Sequence, residues 1–190
     1  MQQLTKEELA RGLESTFVFF YRSSKAAPGK GSNEVVLHRF KELEGHVEFR
    51  QQLSNFFPCL IKAEDGRMFP SAEHFFHAEK MAMVDAQKAT LFENGKKFGV
   101  MAPAKIKSLT GKSKLDMGDK LEEWDKRVPE VLERIWWLKF SQNESLKKML
   151  LATMDARLMH YVKRRGRSAM YEHWTPLEKI RAELLHVEEE

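Results

Sequence analysis

The stretch from Leu60 to Lys80 leaves the chain few conformational choices. Two short apolar runs, Leu60-Ile61-Lys62 and Met68-Phe69, flank Glu64-Asp65-Gly66-Arg67, and an Asp-Gly step between apolar runs predicts a hairpin. Pro70-Ser71 then interrupts the strand pattern. Ser71 is placed to cap a helix running through Ala72-Glu73-His74-Phe75-Phe76-His77-Ala78-Glu79-Lys80 and beyond. At about 100° per residue, Glu73, His77 and Lys80 fall within roughly 60° of one another on one face. The opposite arc carries Ala72, Phe75, Phe76, Ala78, Ala82 and Met83, a stripe that needs a core to pack against. Glu79 projects into that apolar arc, so its carboxylate requires a basic or backbone partner.

The polar face of this helix admits two readings. It is a solvated surface with one i, i+4 contact and an acid placed by the helix dipole, or it gathers an acid, an imidazole and an amine for chemistry. His74 lies toward the same side, where it either orients a substrate or caps a neighbouring loop.

Elsewhere the pattern predicts mainly helices with a few short strands, an α+β class. Thr5 caps a lead helix over Lys6–Leu13, which places residues 1–14 apart from the domain that follows. Phe17 to Tyr21 is short, apolar and aromatic, as a buried strand is. The following loop, Arg22 to Asn33, is dense in Gly, Ser, Lys and Arg; its amides suit phosphate oxygens, and its composition equally suits a plain surface loop. Helices are expected over 103–109, 129–142 and 144–151, and a strand over 157–162. A last helix starts at Thr175-Pro176-Leu177-Glu178 with capping-box residues. Trp136 and Trp137 sit among apolar residues at helical spacing and read as core.

The chain has 190 residues, with 13 Phe, 4 Trp and 10 Met: one domain's length, with apolar bulk that excludes general disorder. No apolar run approaches the roughly 18 residues of a membrane span, and the first dozen residues are too polar for a secretory signal. A soluble, intracellular protein, cytoplasmic or nuclear, is expected. The single cysteine, Cys59, excludes an intrachain disulfide and a Cys-rich zinc site; its apolar neighbours favour a packed residue over the alternative, a catalytic thiol. The 7 His are scattered, so no metal site is expected. The net charge of +4 averages the acidic ending Glu188-Glu189-Glu190 against two basic clusters, Lys163-Arg164-Arg165-Gly166-Arg167 and Lys105 to Lys114. Such clusters suit a phosphate-bearing partner, and equally suit a plain solvated surface.

Four ordered blocks carry a further signal: Phe19-Phe20-Tyr21, Leu53-Ser54-Asn55-Phe56, Asp65 through Lys80, and Leu138-Lys139-Phe140-Ser141-Gln142-Asn143. In this combination they resemble the NADAR superfamily of N-glycosidases, the YbiA-like proteins. The resemblance implies a mostly helical fold with a ribosyl pocket, and makes residues 15–190 the catalytic domain. Family members hydrolyse N-glycosidic bonds in phosphorylated riboflavin-pathway intermediates or between ADP-ribose and guanine. The Pro28–Glu34 loop and the Leu150–Arg164 segment resemble the second branch. The Trp-Gly and Asn-x-Leu-Gly segments usual in the first are missing. His77 and Glu79 stand where Gln is common, and Gly111-Lys112 where many members have Gly-Arg.

Breaking a ribosyl–nitrogen bond builds positive charge at the anomeric carbon. Glu73 is the carboxylate expected to stabilise it or activate water. Lys80 offers a second route, capture of the ring-opened sugar as a Schiff base, which requires a neutral amine. The expected substrate contacts are Tyr21, Arg22, Lys30, Gly31, Asn55, Phe56, Asp65, Arg67, His74, His77, Trp124 and His160. Within that set Arg67 and Lys30 address the diphosphate, Phe56 or Trp124 stacks on a ring, Asn55 and Asp65 shape the pocket, and His160 meets the ribosyl group or is a core histidine. The expected partner is an ADP-ribose-bearing substrate, ADP-ribosylated guanine in DNA or RNA, acted on by a monomer without cofactor. A small-metabolite N-glycosidase and a binding module without catalysis are the alternatives.

Overall fold

The computed structural model describes residues 15–19, 25–31, 34–36, 40–111, 114–162 and 170–189. The expected lead helix, Phe20, Tyr21, Arg22, Ser32, Asn33, Lys112 and the basic knot of 163–167 lie outside the described residues. Chain contacts divide the rest into two compact units, one of residues 55–144 and one of the described residues up to Ser54 together with those from Ser145 onward.

In the 55–144 unit the Asp-Gly hairpin forms as expected. Strands β2 (Ile61–Lys62) and β3 (Met68–Phe69) pair antiparallel with Ile61 opposite Phe69. Gly66 turns the chain at φ +90°, a conformation that costs glycine nothing, and the Asp65 carboxylate accepts the Arg67 amide at 3.1 Å. Helix α3 (Ala72–Ala82) follows, with the Ser71 hydroxyl accepting the His74 amide. Phe75 stacks on Phe69 with ring centroids 4.3 Å apart, joining hairpin and helix through one apolar contact. The core continues through Phe92, Ile106 and Ile135. These come from a 3₁₀ turn (Thr90–Phe92) that follows α4 (Ala86–Ala89), from α5 (Pro103–Leu109) and from α6 (Lys120–Gln142).

Helix α6 begins nine residues before its expected start at Pro129, so the proline lies inside it. Buried Trp124, Val131 and Ile135 recur at steps of seven and four on one face. That packing outweighs the proline, whose missing donor leaves the Asp125 carbonyl on an exposed side where water can meet it. Three side chains fasten α6 to the hairpin segment. Gln142 accepts the Lys62 amide and donates to the Lys62 carbonyl, both at 2.8 Å, completing the strand edge as a neighbouring strand would. Asn143 donates to the Leu60 carbonyl. The Trp136 indole donates to Asn55 Oδ1 at 2.6 Å.

The other unit holds a three-stranded sheet in the order β1-β4-β5. Strand β1 (Thr16–Phe19) runs parallel to β4 (Arg157–Val162), and β5 (Met170–His173) antiparallel to it. Phe17 meets Phe40 and Phe49 edge-on, beside the short helices α1 (Lys41–Glu44) and α2 (Phe49–Gln52). Helix α7 (Glu144–Leu151) enters this unit at Ser145, and α8 (Thr175–Glu189) closes it. Glu178, expected to complete a capping box, instead accepts the Leu158 amide and meets His173 Nε2 at 2.7 Å. Strand β5, with Glu172 and His173 among its four residues, has no apolar run to announce it; its pairing with β4 defines it. The mainly helical α+β class holds. Among the described residues no helix is long and apolar enough to cross a membrane.

Two of these fastenings, at Trp136 and at Gln142, differ in burial, and so in what their loss costs. Asn55→Ala removes the acceptor of the buried Trp136 N–H and is expected to lower stability by about 1–3 kcal/mol. Gln142→Ala frees exposed groups that water can satisfy, so a loss below about 1 kcal/mol is expected. Urea unfolding of the two variants beside wild type measures both.

Candidate functional site

Helix α3 is buried on both arcs. Glu73, His77 and Lys80 are only 5%, 6% and 9% exposed, so the solvated-face reading fails. Thr110, directly after α5, meets that face. His77 Nε2 lies 3.0 Å from Glu73 Oε1, and His77 Nδ1 lies 2.5 Å from the Thr110 hydroxyl. Lys80 Nζ donates to the Thr110 carbonyl at 3.0 Å. The i, i+4, i+7 spacing thus yields one enclosed polar group, closed by a residue from elsewhere in the chain. Among the described residues Glu73 uses only Oε1 in hydrogen bonding, while its backbone amide donates to the Asn55 carbonyl.

Other predicted residues take different places. The Asn55 side-chain oxygen accepts from Trp136, and the Asn55 main-chain carbonyl supports Glu73. Trp124 is 3% exposed and packs on Phe76 at 5.2 Å; it is core, not a stacking platform. Phe76 in turn meets His77 edge-on. Phe56 is half-buried, with the Lys107 amine 5.6 Å from its ring centroid.

His74 is a structural residue. Its Nε2 lies 3.0 Å from the Met101 carbonyl and its Nδ1 lies 2.7 Å from the Ser71 hydroxyl. A carbonyl only accepts, so Nε2 carries the proton and Nδ1 accepts from Ser71. Burial pushes the His74 pKa below its ordinary value, consistent with a neutral ring. Both nitrogens are used within the fold, and neither is left to orient a substrate.

Arg67 is not a spare cation for a diphosphate. Its guanidinium meets Asp65 at 2.6 Å and Glu79 at 3.3 Å, and Glu79 also meets Arg134 at 2.9 Å. Glu79 therefore has the basic partners that its place in the apolar arc required. Asp65 serves the hairpin turn and this network.

Lys30, Gly31 and His160 lie in the other unit. The Gly29 and Gly31 amides both donate to Glu34 Oε2, at 3.0 and 3.1 Å, and Glu34 is ion-paired with buried Arg50. An internal carboxylate thus occupies the amides read as a phosphate cradle. A Cβ on Gly31 would come within 2.6 Å of the Glu34 carboxylate, which accounts for the glycine. Lys30 is exposed. His160 pairs across the sheet with Glu172, Nδ1 to Oε2 3.9 Å, and its ring lies 4.6 Å from Trp174.

Two features had no warning in the sequence. Thr110 sits in a Lys- and Ser-rich segment whose periodicity says nothing of a buried hydroxyl. Lys139 is fully buried, and burial lowers its pKa to about 8; the same effect raises the thiol pKa of Cys59, against the nearby charge of Lys139. Among the described residues no group of three or more His, Cys, Asp or Glu could hold a metal ion.

A model of the NADAR domain matches residues 39–165. The NMR structure of the E. coli protein YbiA is similar in fold, with a TM-score of 0.56 and 22% identity over 74% of this chain and 82% of that one. Comparison with curated proteins returns no match.

Because the folded state resists protonating His74, the unfolded chain binds the extra proton as pH falls below about 6.5. Stability contributed by neutral His74 is full above that pH and declines below it. Denaturation midpoints at pH 7.5 and 5.5 are expected to fall more for wild type than for His74→Gln; an equal fall in both would contradict the assignment.

Proposed function

Taking as premise that this chain belongs to the NADAR domain family, which is associated with N-glycosidase activity, we propose that it releases ADP-ribose from guanine bases in nucleic acid or nucleosides. The observation that carries the reading is the enclosed group on α3: a carboxylate with one oxygen held by His77, and an amine one further turn along the same face.

Cleavage of the bond between the anomeric carbon and the guanine nitrogen leaves the electron pair on nitrogen and positive charge on the sugar. Glu73, in an enclosure of low polarisability, opposes that charge more strongly than a solvated carboxylate would. With Oε1 held by His77, Oε2 is the oxygen placed to face the sugar or take a proton from water. Water then adds hydroxyl to the anomeric carbon, and its proton ends on the guanine nitrogen. In the alternative route the Lys80 nitrogen replaces the guanine nitrogen on the ring-opened carbon, forming an imine that one water hydrolyses to ADP-ribose and free lysine. Lys139 has the depressed pKa such an attack favours, but with no exposed surface it has no access to a substrate.

The choice of ADP-ribosylated guanine over a small riboflavin-type intermediate rests on the resemblance of the Pro28–Glu34 loop and the Leu150–Arg164 segment to that branch, and on the missing Trp-Gly and Asn-x-Leu-Gly segments. Exposed Lys105, Lys107 and Lys114 add positive charge that a polymer backbone would meet. Flipping a base out of a strand favours single-stranded or distorted sites.

Mass spectrometry of ADP-ribose released from ADP-ribosylated guanosine tests the reading. Glu73→Gln and Lys80→Ala are each expected to lower kcat by about 10²-fold or more while binding persists; wild-type turnover in both sinks it. Borohydride separates the routes: an adduct present in wild type and lost in Lys80→Ala means the imine, whereas no adduct in either leaves Glu73-assisted hydrolysis. On a DNA or RNA substrate turnover is expected to fall steeply with added salt, and on the free nucleoside to change little.

A further inference from the structure

Thr110 touches both chemical partners of the enclosed group, through different atoms. We infer that it is the positioning residue of this site: its hydroxyl anchors His77 at Nδ1 so that the opposite nitrogen faces Glu73 with its proton, and its carbonyl fixes the amine of Lys80. The inference rests on the N-glycosidase reading of the site and adds to it a residue that acts through His77 and Lys80 and not on the substrate.

The hydroxyl has one proton and two acceptors in reach, His77 Nδ1 at 2.5 Å and the Ile106 carbonyl at 3.4 Å. The shorter contact takes the proton, since hydrogen bonds weaken with length. Nδ1 of a neutral ring is then an acceptor and Nε2 carries the ring proton, donated to Glu73 Oε1. The opposite arrangement would aim a bare Nε2 lone pair at a carboxylate. Glu73 only accepts and so keeps the proton on Nε2, while the hydroxyl supplies the matching donor at Nδ1; without it the ring is held from one side only, and the orientation of Glu73 loses its support.

The carbonyl has a separate origin. Thr110 caps the C-terminal end of α5, where the last carbonyls lack intrahelical partners and carry the negative end of the peptide dipoles. An amine is the natural partner for such a group. Holding Lys80 there removes rotamer freedom that a nucleophile would otherwise lose on the way to the transition state. A single residue thus fixes an acid and an amine two turns apart on α3. Threonine suits the task because its branched Cβ stiffens χ1.

Thr110→Val removes the hydroxyl, keeps the shape and keeps the carbonyl; Thr110→Ser keeps both polar groups. With ADP-ribosylated guanosine as substrate, Thr110→Val is expected to lose about 10²-fold in kcat with KM within about twofold, and Thr110→Ser to recover most of the loss. Side-chain ¹⁵N shifts of His77 in wild type are expected to show a protonated Nε2 and an unprotonated Nδ1, a pattern retained in Thr110→Ser even if the valine variant does not fold. An active wild type with unchanged kcat in Thr110→Val overturns the inference alone, as does a His77 proton on Nδ1. A wild type without turnover overturns the enzymatic reading, and with it any catalytic role for Thr110.

Discussion

A carboxylate, an imidazole and an amine are all buried on one helix face, and each must find its partners inside the protein. A lone ionised group in that position would cost several kcal/mol. Here Glu73 is bonded to His77, His77 to Thr110, and Lys80 to the Thr110 carbonyl. Hydrogen bonds to charged groups contribute about 1.5–3 kcal/mol each, so the group offsets much of its own desolvation, but only while the set is complete. The apolar arc of α3 can then pack as an ordinary core, with Phe75 on Phe69 and Phe76 on Trp124.

The surroundings of α3 serve the same end. Ser71 and His74 satisfy its first turn and tie it to Met101, and the Asn55 carbonyl takes the Glu73 amide. Asn55 is in turn anchored through its side chain to Trp136, so α6 supports the carboxylate by way of a main-chain contact. Asp65, Arg67, Glu79 and Arg134 neutralise one another nearby. In the other unit Glu34 and Arg50 do likewise around the glycine loop. Several charges that looked available for a ligand are thus internal pairs, and the Glu73 group stands out because its second carboxylate oxygen is not consumed within the described residues.

Most of the elements were legible where local chemistry decides them. The Asp65-Gly66 turn, the Ser71 cap and the helix over 144–151 follow from residues a few positions apart. Pro129 misled because a local rule was outweighed by the packing of Trp124, Val131 and Ile135. Strand β5 and the short helices α1, α2 and α4 gave no periodic signal, since they are too short to show one. Asn55, Asp65, Arg67, His74 and Trp124 were singled out as ligand contacts by residue type, and each proved to be engaged within the fold.

The sequence by itself determined that Glu73, His77 and Lys80 share a face, because a helix of 3.6 residues per turn allows nothing else. It also determined that Glu79 would need a basic partner. Whether that shared face met water or protein was decided only by tertiary structure. Thr110 lies 30 residues beyond Lys80, and no periodicity or capping rule reaches that far. Folding brings a helix end and a hydroxyl over the polar face, turning three side chains with a common direction into one enclosed, hydrogen-bonded group.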